Sequence, residues 1–155
     1  MLDLFNYNWQ VRNDWFAWCD QLSIEDLLQK RAGGLGSILH TLFHVIDGEQ
    51  IWLYQLMKNP VIEKDKESIK SLEEVIAFSE MTRNTIQPFL ADWSDEMNEQ
   101  VLVKKKRSGD IVYFPYKKVL QHVISHEIHH IGQLSIWSRE MGLAPVNSDL
   151  IIRTF

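Results

Sequence analysis

The stretch from Tyr116 to Met141 has the hydrophobic pattern of one long amphipathic helix, and it constrains the fold more than any other part of the chain. Its apolar residues recur at steps of three and four, which keeps one face of a helix toward a core. His126 and His130 stand where this stripe continues, at positions that usually hold Leu or Ile. A buried imidazole needs a partner for each ring nitrogen, and a metal ion is one such partner. Because the two rings are one turn apart on one face, they can share one ion.

Three further long helices are predicted from apolar periodicity, cap residues and breakers. Ser37 caps the second, and Ser71 opens a capping-box pattern at the start of the third. Pro88 lies late in the third helix and predicts a kink or an early end there. A short helical turn follows Ser23, and the glycine-rich loop at 32–36 predicts a backbone that passes close to another part of the chain. The predicted long helices span about 2–22, 38–57, 72–93 and 116–141.

A β-hairpin is predicted just before the last long helix. Residues 100–103 and 111–114 flank the polar segment 104–110, which contains the turn signal Ser108-Gly109-Asp110. The pattern as a whole predicts an all-α protein. We expect a four-helix bundle that forms a single domain over residues 1–155, with this small β-hairpin inserted before the last long helix.

Composition and charge exclude several classes of protein. The single cysteine, Cys19, rules out an internal disulfide and a Cys-rich zinc site, and it fits a reducing compartment. The net charge of −5 gives no general attraction to nucleic acid or to anionic membranes. No segment is apolar and long enough to span a bilayer, and the first residues do not resemble a signal peptide. We therefore expect a soluble cytoplasmic protein without a nucleic-acid or membrane partner.

All six histidines lie in two of the predicted helices, and a bundle can place side chains from facing helices around one ion. His126 and His130 with one histidine of the second helix would leave an open position on Zn²⁺ or Ni²⁺. Spacing alone does not choose between His40 and His44 for that third ligand. Glu49 is interpreted either as a carboxylate that orients a ligand ring or as a surface residue. The alternative is that these histidines are core or interface residues bonded to carbonyl groups.

The segment from His126 to His130 also matches H-E-x-x-H, the pattern of zinc metallopeptidases, in which the glutamate is the general base. Glu127 is therefore a candidate catalytic base. However, no histidine follows His130 as a third ligand, and the sheet usual in that class is not predicted. Metallopeptidase activity is the lesser alternative, and a solvated or partner-bonded Glu127 is favoured.

Two motifs resemble a known family over essentially the whole chain. On the second long helix the motif is Ser37-Ile38-x-x-x-x-Leu42-x-His44-Val45-x-x-x-Glu49-x-x-Trp52. On the fourth it is His122-Val123-x-x-His126-x-x-His129-His130-x-Gly132-Gln133. These motifs and the order of elements resemble the DinB/YfiT-like metal-dependent proteins. The resemblance implies a helical bundle of that type in which His44, His126 and His130 bind the metal and the other three histidines do not.

The resemblance also implies a range of functions. Members of the family are described as metal-dependent hydrolases, and some transfer low-molecular-weight thiols such as bacillithiol or mycothiol. A metal site in such a protein activates water or a thiol. The resemblance thus implies Zn²⁺ or Ni²⁺ as the metal and a low-molecular-weight thiol as a second cofactor. Arg12, Arg31, Lys117 and Lys118 are candidates to bind the carboxylates of a thiol, although each is more often a surface charge.

Family members commonly form dimers, so a homodimer is expected. Trp9, Trp15 and Trp18 exceed what one side of a helix needs, which favours a dimer contact on the first helix unless they fill this domain's own core. A non-catalytic, metal-stabilised dimer that serves in binding or in stress is the alternative function. The residues do not choose between it and an enzyme.

Overall fold

Four long helices and one hairpin make up the architecture in the computed structural model of the protein, which describes residues 1–155. Helix α3 (Ile38–Leu56) packs against α4 (Leu72–Ala91) and α5 (Tyr116–Glu140), and α1 (Leu2–Cys19) packs against the same two helices. The predicted fold class is confirmed, and no helix is long and apolar enough to cross a membrane. The helices are α1 (Leu2–Cys19), α2 (Ile24–Leu28), α3 (Ile38–Leu56), α4 (Leu72–Ala91) and α5 (Tyr116–Glu140), and the strands are β1 (Val101–Lys105) and β2 (Ile111–Pro115).

Serine caps fix where three of the helices begin. The side chains of Ser23, Ser37 and Ser71 each accept a hydrogen bond from a backbone N–H in the first turn of α2, α3 and α4. These bonds satisfy donors that have no partner inside a helix. The predicted starts are confirmed, whereas α1 ends three residues before its predicted limit. Helix α4 continues past Pro88 and ends at Ala91, two residues before its predicted limit.

The hairpin joins the bundle through one face only. Strands β1 and β2 are antiparallel, with Val103 opposite Tyr113. Leu102 and Phe114 pack against the core, whereas Val103 and Tyr113 are 57% and 65% exposed on the other face. Alternation along each strand produces this division, because successive side chains point to opposite faces of a sheet. The buried face lies next to α3 through the contact of Phe114 with Trp52.

The tryptophans of α1 belong to this chain's own core. Trp9 and Trp15 are buried, and Trp18 is half-buried with its indole N–H donating to the carbonyl of Ala144. The excess of tryptophan on this helix therefore gives no reason to place a dimer contact there.

A buried ionic cluster crosses the centre of the bundle, and we call Arg12, Glu49 and Glu127 the ion triad. The Arg12 guanidinium donates to Glu127 at 2.6 and 2.8 Å and to Glu49 at 3.0 and 3.2 Å. All three side chains are 1% exposed. Trp9 also donates to Glu49, and Ser79 accepts from Arg12, so the cluster joins α1, α3, α4 and α5.

Burial and charge within the ion triad shift the pKa values of Arg12 and Glu127. Burial alone lowers the pKa of the Arg12 guanidinium, but the charges of Glu127 and Glu49 outweigh this effect and raise it. Burial, assisted by the charge of Glu49, raises the pKa of Glu127 above its usual value although the charge and hydrogen bonds of Arg12 lower it. Arg12 is therefore permanently charged and fully engaged. Both interpretations of this residue, as a surface charge and as a candidate to bind the carboxylates of a thiol, are wrong. Glu49 is neither a surface residue nor a partner of a histidine ring.

Replacing Arg12 with Met should lower the free energy of unfolding by about 3–5 kcal/mol, because two buried carboxylates lose their counter-ion. Urea denaturation measures the loss. Lys66→Met is the matched control, since Lys66 belongs to an exposed pair with Glu67 and should change stability by no more than about 1 kcal/mol. Adding Glu127→Gln to Arg12→Met should restore part of the stability. A loss below about 1 kcal/mol in Arg12→Met would show that the triad does not stabilise the fold.

Candidate metal centre

Three histidine nitrogens converge between α3 and α5. Nε2 of His44 lies 3.0 Å from Nε2 of His126, which lies 3.2 Å from Nε2 of His130. The potential ligand nitrogens of the three residues all lie within 4.8 Å of one another. His40, one turn earlier on α3, lies outside this group and borders a separate hollow. The structure thus brings together one histidine of α3 and two of α5, and of the two candidates on α3 it selects His44.

The spacing of these nitrogens suits a small divalent cation. Bonds of about 2.0–2.1 Å in a tetrahedral arrangement place ligand nitrogens about 3.3 Å apart. Two of the separations, 3.0 and 3.2 Å, are close to this value, and the third, between His44 and His130, is at most 4.8 Å. No Cys, Asp or Glu side chain joins the group, so the protein supplies three neutral nitrogen donors.

The surroundings keep these imidazoles in the form that binds metals. Burial, followed by the charges of His130 and His44, lowers the pKa of His126 to about 4. Burial is also the main reason that the pKa values of His44 and His130 are lowered. A histidine must be neutral to offer a lone pair, so the three rings are ready to act as ligands at neutral pH.

Gln133 fixes the orientation of His130. Nδ1–H of His130 donates to Oε1 of Gln133 at 2.8 Å, which leaves the lone pair of the ring on Nε2, toward the other two histidines. The amide nitrogen of Gln133 donates in turn to His129 at 3.2 Å. Gly34 makes room for this amide, because a Cβ at that position would lie 2.6 Å from Oε1 of Gln133. The close approach predicted for the glycine-rich loop is confirmed, and its partner is the helix that carries the site.

Gly48 makes room for the ring of His126, and the sequence analysis did not identify this role. A Cβ on Gly48 would lie 3.1 Å from Cε1 of the His126 ring, which is closer than most such contacts. The bare backbone of α3 therefore forms the wall behind this ring. The available signal was a glycine in the interior of a long helix, where it is unfavourable without a packing reason.

Glu127 does not belong to the group formed by the three histidines. It lies next to His126 in the sequence, but its carboxylate is buried and held by two bonds from Arg12. The favoured interpretation of Glu127 as a partner-bonded residue agrees with this geometry. A general base must reach the proton that it removes, and the Arg12 pairing takes this carboxylate out of reach. This geometry does not favour the metallopeptidase alternative, which needs Glu127 as a free base.

Comparisons with known proteins agree with the resemblance found in the sequence. The model of the DinB family matches residues 1–154. The chain belongs to the DinB family. It is 41% identical over 154 residues to "Uncharacterized protein YizA" of Bacillus subtilis (strain 168), covering 99% of this chain and 96% of that protein.

A solved structure supports the same fold. The crystal structure of a DinB-like protein from Bacillus cereus ATCC 10987 superposes with a TM-score of 0.71, covering 94% of this chain and 93% of that one. At 18% sequence identity this likeness concerns the fold alone. The family model and this structure therefore agree on a DinB-like fold for the whole chain.

Gly48→Ala should weaken the binding of Zn²⁺ by about 10-fold or more, because the added methyl group pushes the His126 ring out of position. Competition with a chromophoric chelator measures this affinity. Gly132→Ala is the matched control, since Gly132 also lies inside a long helix but has nothing within 4 Å of an added Cβ. It should keep the affinity and gain up to about 1 kcal/mol of stability from helix propensity. Equal affinities in the two variants would show that Gly48 does not position His126.

Acid should destabilise the metal-free protein through the same histidines. Their folded-state pKa values lie below the ordinary 6.5, with that of His126 at about 4, so the unfolded chain binds more protons between these values. The histidine contribution to stability is therefore complete above pH 6.5 and is lost as the pH falls toward 4. Urea denaturation at several pH values measures it. His126→Gln should show a shallower decline than the parent, and parallel curves would contradict the assignment.

Proposed function

We propose that this protein binds one divalent cation through His44, His126 and His130 and uses it to activate water or a low-molecular-weight thiol. It would then act as a metal-dependent hydrolase or as a thiol S-transferase. The observation that carries the proposal is the convergence of three neutral imidazole nitrogens within 4.8 Å, from two helices fixed in the bundle. Membership of the DinB family supports it.

The donor set indicates the type of metal and of site. Imidazole nitrogens suit Zn²⁺ and Ni²⁺ better than Mg²⁺ or Ca²⁺, which prefer oxygen. Three protein ligands without a fourth are typical of catalytic sites, whereas structural zinc sites have four. A bound cation with such an open position supplies a Lewis acid that lowers the pKa of the water or thiol it holds.

Any thiol that reacts at this site has to come from outside the chain. The only cysteine, Cys19, lies in the core, where burial raises the pKa of its thiol to about 12. A buried, protonated thiol is inert as a nucleophile. Thiol transfer would therefore use a small-molecule thiol, and hydrolysis would use water.

A non-catalytic role is the second candidate, and the position of the histidines favours it as well. His44 lies on α3 and the other two lie on α5, so a shared ion would cross-link two helices of the bundle. Binding to the folded state alone stabilises a protein. Glu127, which follows His126 in the sequence, is bonded to Arg12 and is not free to act as a base.

The homodimer expected from the family is part of both proposals, and sedimentation velocity measures whether the protein is a dimer in solution.

Elemental analysis of protein purified without chelator or affinity metal tests the site. The parent should carry about one Zn²⁺ or Ni²⁺ per chain, and His44→Ala and His126→Ala should carry almost none. His40→Ala is the matched control, because it removes an imidazole one turn away on the same helix and should retain the metal. Full retention in His126→Ala, or no uptake by the parent when Zn²⁺ or Ni²⁺ is added, would contradict the proposal.

Replacement of the native metal with Co²⁺ tests whether the metal has an open position that a thiol can occupy. With an open position, addition of a low-molecular-weight thiol should produce the near-ultraviolet absorption of a cobalt–thiolate bond and change the visible spectrum. His126→Ala should show no such bands. A Co²⁺ spectrum in the parent that no thiol changes would count against thiol transfer.

A further inference from the structure

An apolar cleft of about 270 Å³ lies beside the three histidines, between α3, β2 and α5. Its lining residues are Trp52, Phe114, Lys118, Val119 and His122. The Trp52 ring meets the Phe114 ring edge-on, with centroids 5.6 Å apart. The volume of the cleft is just below the range for sites that bind drug-sized ligands, so one aromatic ring with a short chain would fill it.

Two lysines give this cleft a positive rim. Lys118 lines it directly, and Nζ of Lys104 lies 4.5 Å from the centroid of the Trp52 ring. Neither ammonium group forms a salt bridge, whereas the chain as a whole carries a net charge of −5. Two unpaired positive charges over an apolar surface in an acidic protein complement a ligand with an apolar body and a negative group.

His122 connects the cleft with the candidate metal centre. Its ring centroid lies 5.4 Å from that of Trp52 and 5.9 Å from that of His126. A molecule seated on Trp52 is therefore separated from the nearest candidate ligand by one imidazole ring. A larger hollow, of about 390 Å³ beside Trp93, has no histidine in its wall, whereas His122 lines the cleft. Of these two hollows, only the cleft combines an apolar wall, unpaired charge and nearness to the centre.

We infer that this cleft binds the apolar part of a small anionic substrate, preferably an aromatic carboxylate, and directs its remaining end toward the three histidines. Trp52 and Phe114 provide the apolar wall, and Lys104 and Lys118 attract the negative group. The position of the reacting end rests on the proposed function. The binding itself does not, because none of the three candidate metal ligands lines the cleft.

Hydrocinnamate, which has one benzene ring, a two-carbon chain and a carboxylate, is a suitable probe for the cleft. Two-dimensional NMR of the ¹⁵N-labelled, metal-free protein at low salt would follow its binding, with hydrocinnamyl alcohol as the neutral analogue of similar shape. The Trp52 indole and the Phe114 and Val119 amides should shift on titration. The carboxylate should bind about fivefold or more tightly than the alcohol, as expected for one or two exposed ion pairs.

The decisive variants keep the fold and change only the charge. Lys104→Gln with Lys118→Gln should abolish the preference for the carboxylate over the alcohol. Lys105→Gln with Lys117→Gln is the matched control, because it removes the same total charge from the next residues, neither of which lines the cleft. The control should retain the preference. Equal loss in the two double variants, or no shifts at Trp52 with either probe, would overturn the inference.

The same titration on His44→Ala separates this inference from the proposed function. Retained binding in this variant would support a cleft that works independently of the metal ligands. Metal binding by the parent together with no binding at the cleft would overturn the inference alone. Binding at the cleft in a protein that takes up no metal would support the inference and contradict the proposed function.

Discussion

The pairing of one buried arginine with two carboxylates determines how the helices of this bundle fit together. Arg12 on α1 presents a planar fork of N–H donors, and Glu49 on α3 and Glu127 on α5 accept from it. A charge removed from water is tolerated only when it is paired and hydrogen-bonded, so the three helices are restricted to the register that brings these groups together. Any other packing would leave at least one of these charges buried without a partner.

This constraint also holds the candidate site in place. Glu49 follows Gly48, which forms the wall behind His126, and Glu127 follows His126 itself. The ion triad thus fixes α3 and α5 at the level where their histidines face each other. Gln133 then orients His130 through its Nδ1–H. Ligands held in this way on rigid helices lose little conformational freedom when they bind an ion, and this preorganisation favours metal binding.

The neighbourhood of the three histidines divides into two parts with different chemistry. The histidines offer neutral nitrogen donors, whereas the cleft beside them offers an apolar wall and the unpaired charges of Lys104 and Lys118. A site that binds a substrate needs both a reactive group and a surface that recognises the rest of the molecule. The proposed enzyme would use both parts, whereas the proposed structural role would use only the histidines.

The sequence by itself determined the helices, the hairpin and the histidines that face the core, because periodicity, serine caps and turn residues act over short distances along the chain. Spacing on α5 placed His126 and His130 on one face, and the family motif singled out His44 over His40. The tertiary structure alone decided that Arg12 pairs with Glu49 and Glu127. These partners lie 37 and 115 residues after Arg12 in the sequence. It alone also showed why Gly48 has no side chain. A charged residue in a sequence has the same pattern whether it meets water or a buried counter-ion, and only the packing of distant helices distinguishes the two.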